Sequence, residues 1–168
     1  MPGHNRDHCH AYRTIEDLQA MQASGAQSKT GVVVGGGLLG LECAKALRDM
    51  GLEAHVVEFS PRLMAMQVDE GGGRVLRAKV EELGLHVHTG RNTLEITDGA
   101  RARHRMVFAD GTHLEGDMIV FADLTTHLAA TGRTCARQKH RRTGFARLLV
   151  LPPARGWAKD VQLCSLGV

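Results

Sequence analysis

The sequence predicts an α/β fold: a parallel sheet in the order β-α-β-α-β, an antiparallel β-meander, a closing strand and a poorly ordered C-terminal tail. Three observations predict it. Short apolar runs alternate with segments of helical period. A glycine-rich turn joins the first valine run to an amphipathic helix. Two short segments, 93–97 and 105–108, are followed by an Asp110-Gly111 turn.

Each element has a local reason. Residues 1–12 show no periodicity and read as an irregular lead-in. Thr14 reads as a helix N-cap, with Asp17 three residues on and Ile15, Leu18 and Met21 at helical spacing. Residues 25–30 read as a linker. Gly31–Val34 is a short β-branched run, as in a buried strand. Leu39, Cys43, Leu47 and Met50 then share one helical face, which Gly51 closes. Ala54–Phe59 is a second strand, and Asp69–Leu83 a second helix with Leu76, Val80 and Leu83 inward. Its Gly71–Gly73 run makes the first turn a poor helix former. Leu85–His88 alternates as a third strand, Thr93–Thr97 and Arg105–Phe108 form the meander, and Asp117–Ala122 closes the domain as a buried strand.

Composition excludes several function classes. With 168 residues, 43% of them hydrophobic, the chain can bury a core. Its longest apolar stretch, 148–153, is too short to cross a bilayer, and residues 1–10 carry no apolar signal region. Four scattered cysteines with no C-x-x-C pair argue against a disulfide scaffold or zinc ribbon, so a reducing cytoplasm is the expectation. Net charge divides the chain: residues 1–123 sum to −4 and 124–168 to +7. The basic tail has few aromatics, Phe145 and Trp157 among them, which argues against a nucleic-acid partner.

The informative segment is the turn after the valine run. Gly35, Gly37 and Gly40 form G-x-G-x-x-G between a strand and a helix. Gly35 permits the tight turn, Gly37 lets a diphosphate approach the backbone, and Gly40 lets helix and strand pack closely. The N–H groups and dipole opening the helix favour an anion. A second strand ends in Glu58, 23 residues after Gly35, where a carboxylate accepts from ribose hydroxyls and repels a 2′-phosphate. The pattern is a Rossmann-like dinucleotide site with NADH preferred over NADPH, a preference that Arg62, four residues on, softens. No residue is a catalytic acid or base by spacing. The ten histidines prompt a metal reading, above all His4, His8, Cys9 and His10, but no second ligand pair follows them. His55, His86 and His88 read as edge or surface positions, His104 and His113 as solvent-facing, Cys43 as a small buried residue, and Met64 and Met66 as packing.

Several separated blocks carry a resemblance. YRTIEDL (12–18), GVVVGGGLLGLECAKAL (31–47), HVVEFSPRLMAMQVDEGGG (55–73) and the stretch from HRMVFADG to DMIVFA (104–122) resemble the NAD(H)-binding domain of FAD-dependent pyridine nucleotide-disulfide oxidoreductases. Within that family they are most similar to large subunits of assimilatory NAD(P)H-dependent nitrite reductases. The resemblance implies a dinucleotide held by Gly35, Gly36, Gly37, Leu38, Leu39, Gly40, Glu58, Phe59 and Arg62, with Glu42 of a G-x-E pattern near the nicotinamide end. It also implies hydride delivery to an FAD carried by a separate flavin domain or subunit, FAD not being expected to bind this chain. The domain organisation that follows is residues 1–28 as a lead-in and helix left from the flavin-domain junction, 29–123 as the NAD(H)-binding unit, and 124–168 as a divergent basic tail. The family's turn after the last strand is missing at Asp123-Leu124-Thr125, the family's closing acid is missing from 160–168 and the charge changes abruptly beyond 123, so a fragment or frame-disrupted C-terminus is expected. A non-catalytic dinucleotide-binding or interaction module, and a decayed gene product, stay open as alternatives.

Overall fold

The computed structural model describes residues 1–12 and 15–122; the expected cap at Thr14 and the tail beyond residue 123 lie outside the described residues. A five-stranded parallel sheet carries the domain. Its strands are β1 (Cys9–Ala11), β2 (Thr30–Val34), β3 (Glu53–Val57), β4 (His86–His88) and β8 (Met118–Phe121), in the spatial order β1-β8-β2-β3-β4. Helices α1 (Ile15–Gly25), α2 (Leu38–Asp49) and α3 (Glu70–Glu82) connect β1 to β2, β2 to β3 and β3 to β4. Strands β5 (Thr93–Asp98), β6 (His104–Phe108) and β7 (His113–Gly116) form the antiparallel meander.

Strand order explains the layers. Each of the first three crossovers moves the same way across the sheet, and right-handed crossovers then put all three helices on one face. Leu18, Met21, Cys43, Ala44, Leu47 and Val80 from those helices accordingly pack with Val33, Val56, Val87 and Val120 of the sheet. The return from β4 to β8 runs the opposite way, and the meander covers the other face. There Ile96, Met106 and Phe108 pack against Val32, Val34, Val57, Ile119 and Phe121. Strands covered on both faces need continuous apolar runs, which is why VVV and MIVF carry no polar alternation. Each such side chain contributes roughly 1.5–3 kcal/mol by leaving water.

The lead-in is structured, contrary to expectation. Cys9–Ala11 pairs in parallel with Ile119–Phe121 as the edge strand of the main sheet. The buried Ser24 hydroxyl lies 2.8 Å from His8 Nδ1 and 2.7 Å from His10 Nε2, tying this strand to α1. Those two histidines are thereby engaged with one serine. Burial pushes the Cys9 thiol up to about 11.

Helix α3 forms in spite of its glycines. The Asp69 carboxylate caps it by accepting from Gly72 N–H at 2.7 Å. Gly73 is buried, and a Cβ there would lie 3.1 Å from the Arg62 side chain, so this glycine seats the arginine stem. Leu83 is 45% exposed rather than inward: it follows the last helical residue, and Leu85 takes the buried place beyond the Gly84 turn. Met66, 91% exposed, packs nothing. His104 is 2% exposed, not solvent-facing, with Nε2 at 2.8 Å from the Asp7 carbonyl. His55 is buried on the interior strand β3. His113 is exposed, as expected.

Glu115 organises the meander. Its carboxylate accepts from the N–H groups of Ala100, Arg101 and Ala102 and from the Arg105 guanidinium. The Ala100 N–H, then Arg105 and Arg101 N–H, hold this carboxyl down at about 2. An acid depressed in the fold stabilises it above the unfolded value near 4.5, and that stabilisation fades as pH falls towards 2. Glu115→Gln is therefore expected to lower the melting temperature at pH 7, with the gap to wild type closing as melts are repeated towards pH 3. A gap independent of pH would contradict the charge-assisted staple.

Candidate functional site

The switch point of the sheet lies between β2 and β8, because the chain leaves β2 towards β3 on one side and finds β8 on the other. In doubly wound sheets ligands bind beyond the carboxyl ends of the strands at that point. The glycine loop occupies this position. Gly35 has φ +116°, a region that L side chains rarely adopt, and its N–H bonds the Val57 carbonyl at 2.9 Å. Gly40 is buried, and a Cβ there would fall 1.9 Å from the Gly35 carbonyl oxygen. The close approach anticipated for Gly40 is thus between the first turn of α2 and the loop's own backbone.

Gly37 differs. It is the N-cap of α2, exposed, with φ −81° and ψ −178°, and a Cβ there would meet nothing within 4 Å. Neither conformation nor packing inside the protein requires glycine here. No side chain caps this end of the helix, and no acid stands in its first turn. Helix geometry leaves the N–H groups of Leu38, Leu39 and Gly40 with no carbonyl one turn back. The arrangement is an open, positively polarised backbone surface, suited to an anion.

Glu58 reaches into this loop. Its carboxylate accepts from Gly36 N–H at 2.5 Å and from Ser60 N–H at 2.7 Å. Two accepted bonds leave further lone pairs on the carboxylate for another donor. The backbone of Glu58 is fixed on both sides, donating to the His88 carbonyl at 2.9 Å and accepting from Arg91 N–H at 3.0 Å.

Gly36 is buried between Glu58 and Leu63: a Cβ would lie 2.8 Å from Leu63 Cδ2 and 2.9 Å from Glu58 Cβ. Its carbonyl accepts from Met64 N–H at 2.9 Å. Gly36 thus positions the acid rather than facing outward. Ser60 and Leu63, not singled out from sequence, complete this support together with Met64, which reads as packing, and the only local signal for the first two was their place shortly after the acid.

The remaining expected site residues divide. Leu38, Leu39 and Phe59 are 61%, 42% and 72% exposed around the loop and form an apolar rim. Glu42 is exposed on α2. Beneath it the Tyr12 phenol is pushed up by burial and by Cys43 and Glu42, and burial pushes the Cys43 thiol up to about 12. Arg62 turns inward: Nε donates to the Val68 carbonyl at 3.1 Å and Nη2 to the Ala65 carbonyl at 3.0 Å. It clips the segment 61–68 and so has little freedom to moderate the charge of Glu58.

Residues 1–137 match the family model for pyridine nucleotide-disulphide oxidoreductases. The chain belongs to this family. The match begins at residue 1, in keeping with β1 being part of the sheet. The chain is 55% identical over 121 residues to the NADH nitrite reductase large subunit of Escherichia coli K12, covering 71% of this chain and 14% of that protein. It is 37% identical over 122 residues to the NAD(P)H nitrite reductase of Bacillus subtilis, covering 73% of this chain and 15% of that one. Among solved structures, a ferredoxin reductase from Rhodopseudomonas palustris superposes with a TM-score of 0.68 at 28% identity, over 81% of this chain and 35% of that one. The chain therefore spans a small part of the relatives it matches. No helix among the described residues is long and apolar enough to cross a membrane.

Proposed function

We propose that the chain is the NAD(H)-binding module of a flavin-dependent oxidoreductase of the nitrite reductase large-subunit type, working in a reducing cytoplasm. The observation that carries the reading is the pairing of an uncapped α2 N-terminus at Gly37 with the Glu58 carboxylate held on Gly36 N–H. The first would take the diphosphate on backbone N–H groups, and the second would accept from the adenosine ribose hydroxyls. The dinucleotide supplies a hydride to a flavin held elsewhere, and this domain contributes binding and orientation. Leu38 and Leu39 would flank the diphosphate at the start of α2 and Phe59, next to Glu58, the adenosine half, leaving the nicotinamide to meet the flavin-bearing domain or subunit. The 55% identity to a large subunit named for NADH supports the same reading.

Calorimetric titration with NADH, NADPH and FAD in parallel tests it. NADH is expected to bind more tightly than NADPH, and FAD negligibly. Stopped-flow mixing of the chain, NADH and saturating free flavin is expected to show no rapid flavin reduction. Absence of NADH binding would overturn the reading, and fast reduction would overturn the need for a second domain.

Glu58→Gln separates charge from shape. It removes the repulsion of a 2′-phosphate and one acceptor oxygen, so NADH is expected to weaken about tenfold, or ~1.4 kcal/mol. NADPH should weaken less, and the ratio of the two dissociation constants should approach one. An unchanged ratio would remove Glu58 from the ribose site.

A further inference from the structure

We propose that Glu53, His55 and His86 form a site for one divalent transition-metal ion of zinc type, at the end of the sheet opposite the glycine loop. The site is independent of the dinucleotide reading.

The sheet register builds it. Glu53 opens β3, His55 follows two residues later on the same face, and His86 is its direct partner on the edge strand β4. Glu53 Oε1 lies 3.6 Å from His55 Nε2 and 3.5 Å from His86 Nε2, and one ligand atom from each residue lies within 4.8 Å of the others. Those separations are too long for hydrogen bonds, which run roughly 2.7–3.2 Å. They are close to the ~3.4 Å edge of a tetrahedron drawn with metal–ligand bonds of about 2.1 Å. The two rings stack with centroids 4.7 Å apart at 24°. Imidazole lone pairs lie in the ring plane, so sharing one ion requires His86 to turn out of this stack, and its side chain, 54% exposed, has the room to do so.

Chemistry favours a cation there. Two imidazole nitrogens stand 3.5–3.6 Å from one carboxylate oxygen, a nitrogen and oxygen donor set of the kind that zinc takes. A neutral imidazole is the form that ligates a metal, with no proton to displace. Behind His55, its Nδ1 lies 3.0 Å from His88 Nε2. When His55 donates in that bond, its Nε2 lone pair faces the carboxylate, an acceptor facing an acceptor that a metal ion resolves. His88 then holds the ring's tautomer and orientation, as outer partners of metal-bound histidines do. Two imidazoles and a carboxylate suit zinc, with copper and nickel as competitors, and leave a fourth position open on the exposed side of Glu53 and His86. The ion would also tie the three-residue edge strand β4 to the interior of the sheet.

Cobalt(II) and zinc titration of the untagged full chain tests this. One equivalent of cobalt is expected to give the intense visible bands of four-coordinate geometry, and zinc is expected to displace it and raise the melting temperature. His86→Ala and Glu53→Gln, both at exposed side chains, should weaken cobalt at least about tenfold and abolish the zinc-dependent shift. His88→Ala should weaken it about 10–100-fold with the bands retained, and His113→Ala should change nothing. Weak octahedral-type bands, or binding unaffected by His86→Ala and Glu53→Gln, would overturn the site and leave the N-terminal histidines as the source of any binding.

Discussion

Gly37→Thr is expected to weaken NADH binding by about 100-fold, or ~2.7 kcal/mol, while the melting temperature stays within about 2 °C of wild type. The separation of the two effects follows from the geometry. Threonine is as good an N-cap as glycine, and the extended backbone of Gly37 accepts any residue. A Cβ at this position meets nothing within 4 Å of protein, so folding is indifferent to it. The new side chain would stand where the diphosphate approaches, and its hydroxyl would claim a first-turn N–H that the phosphate needs. Calorimetry with NADH beside a thermal melt checks both halves. Unaltered affinity removes the diphosphate from this helix end, and a parallel loss of stability shows that the position is structural.

Gly40→Ala is expected to do the reverse in order of cause. Ordinarily a glycine-to-alanine change within a helix gains up to ~1 kcal/mol. Here the added methyl would sit 1.9 Å from the Gly35 carbonyl oxygen and 2.9 Å from its carbon, both backbone atoms that a rotamer change cannot move. The turn and the first helical residues must separate, which costs about 3 kcal/mol and lowers the melting temperature by roughly 10 °C. NADH binding falls with it, because the displaced loop also carries Gly36 N–H away from Glu58. A rise in melting temperature would show that helix propensity wins and that the close approach is relaxed in solution.

The contrast between these glycines shows how far a motif can be read. All three motif glycines, the acid at 58 and the crossover pattern were legible locally, because strand, turn and helix periods are properties of neighbouring residues. Which glycine serves the fold and which the ligand was less evident. Gly35 and Gly40 are demanded by φ and by a carbonyl 1.9 Å away, and Gly37 by neither. Gly36, placed by resemblance among the cofactor contacts, is buried as the donor that aims Glu58.

Sequence alone determined the β-α-β-α-β order, the meander and the glycine-rich turn between β2 and α2, since each rests on contacts within a few residues or on steric rules for glycine. Only the tertiary structure decided that Cys9–Ala11 is a strand, because its partner lies at 119–121 and nothing in CHA signals pairing. It decided likewise that His104 is buried beside Asp7, and that Arg62 spends its donors on Ala65 and Val68. Glu53, His55 and His86 looked like scattered polar positions until the register set β3 beside β4. In each case the deciding interaction is long-range, and its energy comes from burial and hydrogen bonding between segments that no local period connects.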